Sequence, residues 1–264
     1  HHMLDRGQMY GDGFFETMLM INGKVALIHL HHERILKTAH KLKLILPEEL
    51  LDLTNFEILL REFKTTGHAL RIRLNIIRNG NGFYLPQHHT ATYNFNVQPA
   101  VNPSNQEGQI IHLVGIAESV TIYSKGLSNY KTIAKSEQVL LSLECKERCL
   151  DDLLVLNEKG EVVECIYSNI FFIQKDGIIV TPSLESGCLD GCMRKYLIEN
   201  QKIINLKIKE KSIYLSDLST YISCFITNSV SGLKSISAIN SHNFEDQEII
   251  DINHINKLIL KLFI

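Results

Sequence analysis

Three short apolar segments between residues 151 and 182 constrain the fold of this sequence most strongly. The turns NEKG and KDG separate the segments DDLLVL, EVVECIYSNIFFI and IIVTP. Short apolar segments joined by glycine-containing turns are typical of β-hairpins. The second half of the chain is therefore predicted to contain a series of short, adjacent strands.

Glu164 lies in the middle of the strand predicted over residues 160–173. Because side chains alternate across a strand, it would share a face with Val162 and Ile166. An ionised carboxylate on an apolar face is costly unless a cation or a hydrogen-bond donor meets it. Strand glutamates are most often solvated at a sheet edge or paired with an arginine. The position alone therefore leaves structural and functional interpretations open.

Outside this region the sequence mixes helices and strands. Residues 71–78 alternate apolar and polar side chains, which predicts a strand. A further strand is predicted over residues 110–123, and helices over residues 31–44, 47–63, 132–150 and 253–264. These elements predict an α+β chain with an N-terminal domain over residues 1–116, a linker over 117–130 and a C-terminal domain over 131–264.

Composition excludes several classes of protein. The chain has 264 residues, 45% of them apolar, and a formal net charge of −2. It is long enough for one large domain or two modest ones, and no basic stripe indicates a nucleic-acid partner. No apolar run approaches the length of a membrane-spanning helix. The six cysteines form no C-x-x-C pair, which indicates reduced thiols in a cytoplasmic protein.

Two groups of histidines raise the question of a metal centre. His29, His31 and His32 lie close together in the sequence, as do His88 and His89. Neither group has the spacing and acidic partner of a helical metal site, so no metal is predicted. The chain also lacks a Walker A loop, a G-x-S-x-G motif and a dinucleotide-binding G-x-G-x-x-G.

The segment LDGCMRK is a candidate anion-binding site. A glycine just before a helix start leaves backbone N–H groups that can point at an anion. Gly191, Cys192 and Met193 could bind a phosphate in this way, although an ordinary tight turn is an equally good interpretation.

Two further polar segments carry candidate functional groups. Thr227, Asn228 and Ser229, in FITNSVSG, could complete a phosphate site or simply cap a turn. Lys131, in SNYKTIAKSE, is a weak candidate alone, because a lysine becomes reactive only through burial or cationic neighbours.

Two long stretches resemble the signatures of the class IV aminotransferase family, the fold-type IV pyridoxal-phosphate enzymes. The first is YGDGFFETMLMINGKVALIHLHHERILKTAHKL (10–42), and the second runs from YKT at 130 through DDLLVLNEKGEVVECIYSNIFFIQKDGIIVTPSLESGCLDGCMRKYLIE, which ends at 199. The resemblance covers nearly the whole chain. It implies a smaller N-terminal α/β domain, a larger C-terminal α/β domain and pyridoxal 5'-phosphate between them. It further implies a homodimer that acts on a small-molecule amine, with the partner contributing to the substrate pocket.

The same resemblance assigns roles to individual residues. By position, Lys131 matches the lysine that bonds to the cofactor, and Glu164 matches the glutamate that pairs with the pyridine nitrogen. Arg34 matches the arginine that grips the phosphate, a group suited to its planar fork of donors. The rest of the phosphate site is matched by the backbone of Cys192 and Met193, together with Ser229.

Three branches of the family compete for the reaction. Lys131 is followed by TIAKSEQVLL, which lacks the glycine-rich stretch usual in branched-chain aminotransferases. The segments DRGQMYGDGFFET and DDLLVLNEKGEVVEC are most similar to aminodeoxychorismate lyase. We therefore expect a 4-amino-4-deoxychorismate lyase of folate biosynthesis. An amino-acid aminotransferase, of the D-amino-acid or branched-chain type, is the alternative, and a non-catalytic ligand-binding protein is a remote one.

The segment after the predicted strand departs from the lyase pattern. Lyases often carry an Arg-Gly-x-Gly-Gly-Arg-Gly-Tyr-like segment, whereas this chain has RNGNGFYLP and lacks the second arginine. Substrate specificity is expected in the loop at residues 79–89, and the candidate pocket residues are Tyr10, Phe15, Arg78 and Tyr84.

Overall fold

The computed structural model describes residues 5–63, 69–103 and 110–244, together with residues 255 and 258. The helices are α1 (Arg6–Tyr10), α2 (Ile28–Lys41), α3 (Leu53–Leu60), α4 (Ser136–Glu147) and α5 (Cys192–Glu199). The strands are β1 (Gly13–Ile21), β2 (Lys24–Val25), β3 (Ala69–Arg78), β4 (Ala91–Ala100), β5 (Ile110–Ile116), β6 (Asp152–Leu156), β7 (Val162–Cys165), β8 (Asn169–Gln174), β9 (Ile179–Pro182), β10 (Ile208–Lys211), β11 (Tyr221–Asn228), β12 (Gly232–Ile239) and β13 (His242–Asn243). The mixture matches the α+β class predicted from the sequence.

The chain divides into two compact units. The first comprises His1–Asn102, Tyr130–Lys135 and Leu262–Ile264, and the second comprises Pro103–Asn129 and Ser136–Lys261. These bounds differ from the predicted domains, which ended the first domain at residue 116 and began the second at residue 131.

Strand pairing explains the difference. β5 lies within the predicted N-terminal domain but pairs in parallel with β12 and β6, so it belongs to the second unit. The segment at residues 130–135 belongs to the first unit, because Thr132 forms a bridge with Phe14 of β1. The chain therefore passes into the second unit and returns before α4.

The first unit contains a four-stranded antiparallel sheet in the order β2-β1-β3-β4. The predicted alternation in β3 is confirmed, because Ile72, Leu74 and Ile76 are fully buried in one apolar cluster. Helix α2 contributes Ile35 and Ala39 to the same cluster, so it covers this face of the sheet.

The second unit contains a nine-stranded mixed sheet. Its order is β10-β9-β8-β11-β12-β5-β6-β7, and β13 pairs with β12. The predicted hairpins are confirmed, since β6 pairs with β7 and β8 with β9 in antiparallel fashion. Gly160 and Gly177 occupy the left-handed region in the two turns, at φ of +75° and +78°.

The prediction of one strand over residues 160–173 is wrong. β7 ends at Cys165, and the chain bends before β8 begins at Asn169. The Cys165 N–H donates to the Ser168 carbonyl at 2.9 Å, and the Ile166 N–H donates to Asp152 Oδ1 at 3.1 Å. These contacts take backbone donors away from strand pairing, so Ile166 does not share a strand face with Glu164.

Several predicted helices and strands are shorter than expected. The segment at 47–63 splits into a 3-10 helix and α3, because Asp52 accepts from the Asn55 N–H at 3.0 Å and caps the second helix. α4 begins at Ser136 and β5 ends at Ile116. The predicted C-terminal helix lies mostly outside the described residues, although residues 255 and 258 are helical.

Two further features are the oxidation state of the cysteines and the length of the helices. All six cysteines are free, and every one except Cys149 is buried. Within the part of the chain that the structure describes, the helices are too short and too polar to cross a membrane.

Candidate active site

Glu164 lies near the end of β7 and is half-buried. Its Oε2 atom accepts a hydrogen bond from Asn169 Nδ2 at 3.1 Å and a second from the Leu189 N–H at 3.0 Å. These two donors meet the carboxylate that the apolar strand would otherwise leave unsatisfied. They also fix its orientation, since two donors converge on one oxygen.

Helix α5 begins directly after the loop that contacts Glu164. Gly191 is the residue before the first helical turn, and Cys192 and Met193 begin that turn. Gly191 has no side chain with which to cap this helix start. The first-turn N–H groups of a helix carry a partial positive charge, so this position suits an anion.

Ser229 lies in the turn between β11 and β12 and is half-buried. Its neighbour Asn228 shapes the turn, because Oδ1 accepts from the N–H groups of Val230 and Ser231 at 2.9 and 2.8 Å. The Asn228 Nδ2 donates to Ser168 Oγ at 3.1 Å. The turn that carries Ser229 is therefore joined to the bend that follows β7.

Arg34 lies on α2 in the first unit, where it pairs with Glu16 of β1. Arg34 Nε donates to Glu16 Oε2 at 2.9 Å, and Nη2 donates to Glu16 Oε1. His31 Nδ1 lies 2.9 Å from Glu16 Oε1. Burial alone would raise the pKa of Glu16, but Arg34 and His31 outweigh it and hold that pKa well below its usual range. The ionised carboxylate therefore orients the Arg34 guanidinium through one of its edges.

Lys131 lies beside β1 and close to Phe15. The Phe15 N–H donates to the Lys131 carbonyl at 2.9 Å, and Lys131 Nζ lies 4.7 Å from the centroid of the Phe15 ring. Arg73 contacts the same ring, with its Cζ atom 3.7 Å from the centroid. Burial and the neighbouring Arg71 lower the pKa of Arg73. The Phe15 ring thus lies against two cationic side chains.

Thr17 shares the Phe15 face of β1 and pairs in register with Arg73. The residue is 9% exposed, and its Oγ1 has no hydrogen-bond partner among the described residues. Buried hydroxyls almost always find a partner. A hydroxyl on the face that carries Phe15 is therefore a candidate ligand-contacting group.

Arg78 supports the backbone of the first unit. Its Nε donates to both carboxylate oxygens of Asp12, at 3.1 and 2.9 Å, and its Nη2 donates to the Leu42 carbonyl at 2.6 Å. The side chain is 6% exposed. Its donors therefore bind groups of the first unit, and its place in a substrate pocket stays a prediction.

A second buried arginine holds the loop in which specificity was expected. Arg6 Nε donates to Asp12 Oδ2 at 2.7 Å, and its Nη1 donates to the Phe83 carbonyl at 2.8 Å and the Gly82 carbonyl at 3.2 Å. Tyr84 is 89% exposed beyond this contact, and its ring lies 5.6 Å from that of Tyr10. The loop backbone is thus fixed while its aromatic side chains point outward.

Comparison with known proteins identifies the family. The amino-transferase class IV model matches residues 13–239. This protein belongs to the class IV aminotransferase family. Members of the family use pyridoxal phosphate and act on small-molecule amino substrates.

The relatives of this chain differ in their named activities. It is 28% identical to a probable branched-chain-amino-acid aminotransferase of Rickettsia bellii (strain RML369-C), over 95% of this chain and 87% of the relative. It is 29% identical to the aminodeoxychorismate lyase of Bacillus subtilis (strain 168), over 92% of this chain and 83% of the relative. A solved structure of a hypothetical aminotransferase from Mycobacterium tuberculosis, in its PLP-bound form, matches with a TM-score of 0.82 at 17% identity, covering 100% of this chain and 93% of that one.

The chemical groups present in this chain fit the family's cofactor. The first unit carries an arginine held by a buried acid and a lysine against an aromatic ring, and the second carries an oriented carboxylate and a helix that begins after a glycine. The predicted residues divide between them, with Arg34 and Lys131 in the first unit and Glu164, Cys192, Met193 and Ser229 in the second.

Sequence reasoning missed several residues that support the predicted ones. Glu16 carried a usable signal, because it is an acid inside the apolar strand FFETML and resembles Glu164 in that respect. Asn169 carried none, since its partners lie across a bend or far away in the sequence.

Proposed function

We propose that this member of the class IV aminotransferase family is a pyridoxal-phosphate enzyme and, more specifically, a 4-amino-4-deoxychorismate lyase. The observation that carries the cofactor assignment is the Glu164 carboxylate, oriented by Asn169 and Leu189 beside the start of α5. The lyase assignment rests on likeness in sequence to the Bacillus subtilis enzyme and on the segments around Lys131 and Glu164.

Five residues of this chain would hold the phosphate and the ring nitrogen of the cofactor. Arg34, oriented by Glu16, would donate to the phosphate, and the N–H groups of Cys192 and Met193 with Ser229 would complete that site. Glu164 would accept a hydrogen bond from the ring nitrogen and keep it protonated. When bound, the cofactor supplies an electron sink that stabilises negative charge on the substrate carbon.

Lys131 would bond to the cofactor and, once the substrate amine displaces it, act as the base. Its amine would remove the proton from the carbon that bears the substrate nitrogen. In the lyase reaction the electron pair then expels pyruvate, and the ring becomes aromatic 4-aminobenzoate. Substrate and products balance without water or an oxidant.

An aminotransferase is the second candidate, and the likeness to the Rickettsia bellii relative favours it. The same lysine would then move the proton taken from the substrate carbon without any loss of pyruvate, and water would supply the oxygen of the keto acid that is released. A branched-chain or a D-amino acid would be the substrate. Since the catalytic residues serve both reactions, the predicted pocket around Tyr10, Phe15, Arg78 and Tyr84 would decide between them.

The proposal includes an assembly and a location. We infer a homodimer from the family resemblance, with the partner subunit contributing to the substrate pocket. We infer a cytoplasmic enzyme, where the buried free cysteines would stay reduced.

The first experiment mixes the purified protein and pyridoxal phosphate with enzymatically prepared aminodeoxychorismate and follows pyruvate and 4-aminobenzoate. Equal amounts of the two products would support the lyase. No pyruvate, together with conversion of the bound cofactor to its amine form by an L- or D-amino acid, would replace it with an aminotransferase.

Two lysine variants provide the control. Lys131→Ala should abolish product formation and the visible absorption of the bound cofactor. Lys159→Ala, in the turn between β6 and β7, should leave both unchanged. Full turnover by Lys131→Ala would exclude the assignment of that lysine, and a ligand that binds without turnover would favour the non-catalytic alternative.

A further inference from the structure

Asn169 contacts two parts of the proposed cofactor site in the second unit. It is the first residue of β8 and is 6% exposed. Its Nδ2 donates to Glu164 Oε2 at 3.1 Å and to the Leu189 carbonyl at 3.0 Å. One amide group therefore binds both the carboxylate and the loop that leads into α5.

The other side of the same amide faces Gly191. A Cβ atom added to Gly191 would lie 2.0 Å from Asn169 Oδ1, far closer than any real contact. The Gly191 φ of −71° is one that every residue adopts. The glycine is therefore required by the close approach of Asn169 and not by its backbone conformation.

Leu189 completes a closed set of contacts. Its N–H donates to the same Glu164 oxygen that Asn169 contacts, at 3.0 Å. The loop is held independently by Asn129, whose Nδ2 donates to the carbonyls of Leu184 and Cys188 at 2.8 and 2.7 Å. The backbone between the carboxylate and the helix start therefore has little freedom to shift.

We propose that Asn169 is a positioning residue that holds the Glu164 carboxylate and the start of α5 at a fixed spacing. A ligand that carries a ring nitrogen and a phosphate can then contact the carboxylate and the helix start together. Binding costs less conformational entropy, because these two groups are already ordered. The inference rests on the proposed function for the identity of that ligand. The contacts among Asn169, Gly191 and Glu164 can be tested without it.

The first test is a double-mutant cycle on stability, measured by urea unfolding of the protein without cofactor. Gly191→Ala should lower the midpoint strongly in the wild type, because the new Cβ meets Asn169 Oδ1. In an Asn169→Ala background the same change should lower the midpoint by less than half as much, since Oδ1 is gone. If the decreases in midpoint caused by the two substitutions simply add in the double variant, the claim that Asn169 holds the start of α5 is overturned.

The second test uses the cofactor itself, with pyridoxal phosphate labelled with ¹⁵N in the ring. The ¹⁵N chemical shift separates protonated from unprotonated ring nitrogen. Asn169→Ala should move the signal toward the unprotonated form and weaken cofactor binding by about tenfold, which is the effect of about 1.4 kcal/mol. Asn169→Leu, which keeps a similar side-chain size and removes the donor without adding a charge, should move the signal in the same direction if the alanine variant folds poorly.

Two further variants separate positioning from a general loss of structure. Asn200→Ala removes a hydrogen bond to the Tyr196 carbonyl at the other end of α5 and should leave the ring signal unchanged. Glu164→Gln should move the ¹⁵N signal of the ring fully to the unprotonated position. An unchanged signal in the Asn169 variants, with a shifted one in Glu164→Gln, would overturn the positioning role. An unchanged signal in Glu164→Gln would instead refute the proposed function, and the inference would fall with it.

Discussion

Arg34 donates two hydrogen bonds to the carboxylate of Glu16, one to each oxygen, and the acid is 1% exposed. Removing one member of a buried ion pair leaves the other uncompensated, which typically costs about 3 kcal/mol. Glu16→Gln should therefore lower the free energy of unfolding by about 3 kcal/mol, measured by urea denaturation.

A surface pair provides the control for this change. Glu57 of α3 and Arg61, the residue that follows this helix, lie 3.8 Å apart, with 38% and 71% of their side chains exposed. Glu57→Gln should change the free energy of unfolding by no more than about 0.5 kcal/mol. Equal effects of the two substitutions would show that Glu16 does not depend on its buried partners.

Asp152 should make stability depend on pH in an unusual direction. Burial raises its pKa from 3.8 to about 6, although it accepts from the N–H groups of Leu153 and Ile166. The folded protein therefore holds this proton more tightly than the unfolded chain does, so the group's contribution to stability falls as pH rises from about 4 to about 6. The difference between the pKa values of the folded and unfolded states corresponds to a loss of at most about 3 kcal/mol in the free energy of unfolding.

Asp152→Asn isolates that contribution, because an amide oxygen can accept the same two hydrogen bonds without ionising. The free energy of unfolding of the wild type, relative to the variant, should decrease between pH 4 and pH 7. Parallel curves over this range would mean that Asp152 titrates normally.

Arg6→Met should release the loop at residues 79–89. The buried guanidinium donates to the carbonyls of Gly82 and Phe83, whereas the side chains of residues 83–85 are 86–89% exposed. Chymotrypsin cleaves after such side chains only where the backbone can open. We expect several-fold faster cleavage after Phe83 and Tyr84, followed by mass spectrometry. Faster cleavage everywhere would indicate global unfolding instead, and Arg61→Met is the exposed control.

Asn228→Ala should weaken binding of the cofactor's phosphate. Its Oδ1 shapes the turn at residues 229–231, and its Nδ2 joins that turn to Ser168. Loss of one or two such hydrogen bonds corresponds to about 1–2 kcal/mol, or roughly tenfold in affinity. Affinity for pyridoxal phosphate should fall while that for pyridoxal, which lacks the phosphate, stays the same. An equal loss of affinity for pyridoxal phosphate and for pyridoxal would show that the substitution does not act through the phosphate site.

The sequence predicted the elements whose determinants are local. The alternation of Ile72, Leu74 and Ile76 gave β3, and glycine-containing turns gave the hairpins of the second unit. The catalytic positions of Lys131 and Glu164 remain predictions, and the resemblance to a family supplied them where local patterns did not.

The features that the sequence could not predict depend on distant partners. The bend after Cys165 forms because the Ile166 N–H meets Asp152, fourteen residues away. The contacts of Arg78 could not be predicted, because its partners Asp12 and the Leu42 carbonyl lie far away along the chain. No window of neighbouring residues contains that information.

The course of the chain also has a consequence for biosynthesis. Lys131 belongs to the first unit, yet a ribosome reaches it only after β5 of the second unit has been made. The hydrogen bond from the Phe15 N–H of β1 to the Lys131 carbonyl therefore cannot form until more than a hundred later residues have been synthesised. A fragment that ends at residue 102 would lack this segment, so neither unit corresponds to one continuous piece of the gene.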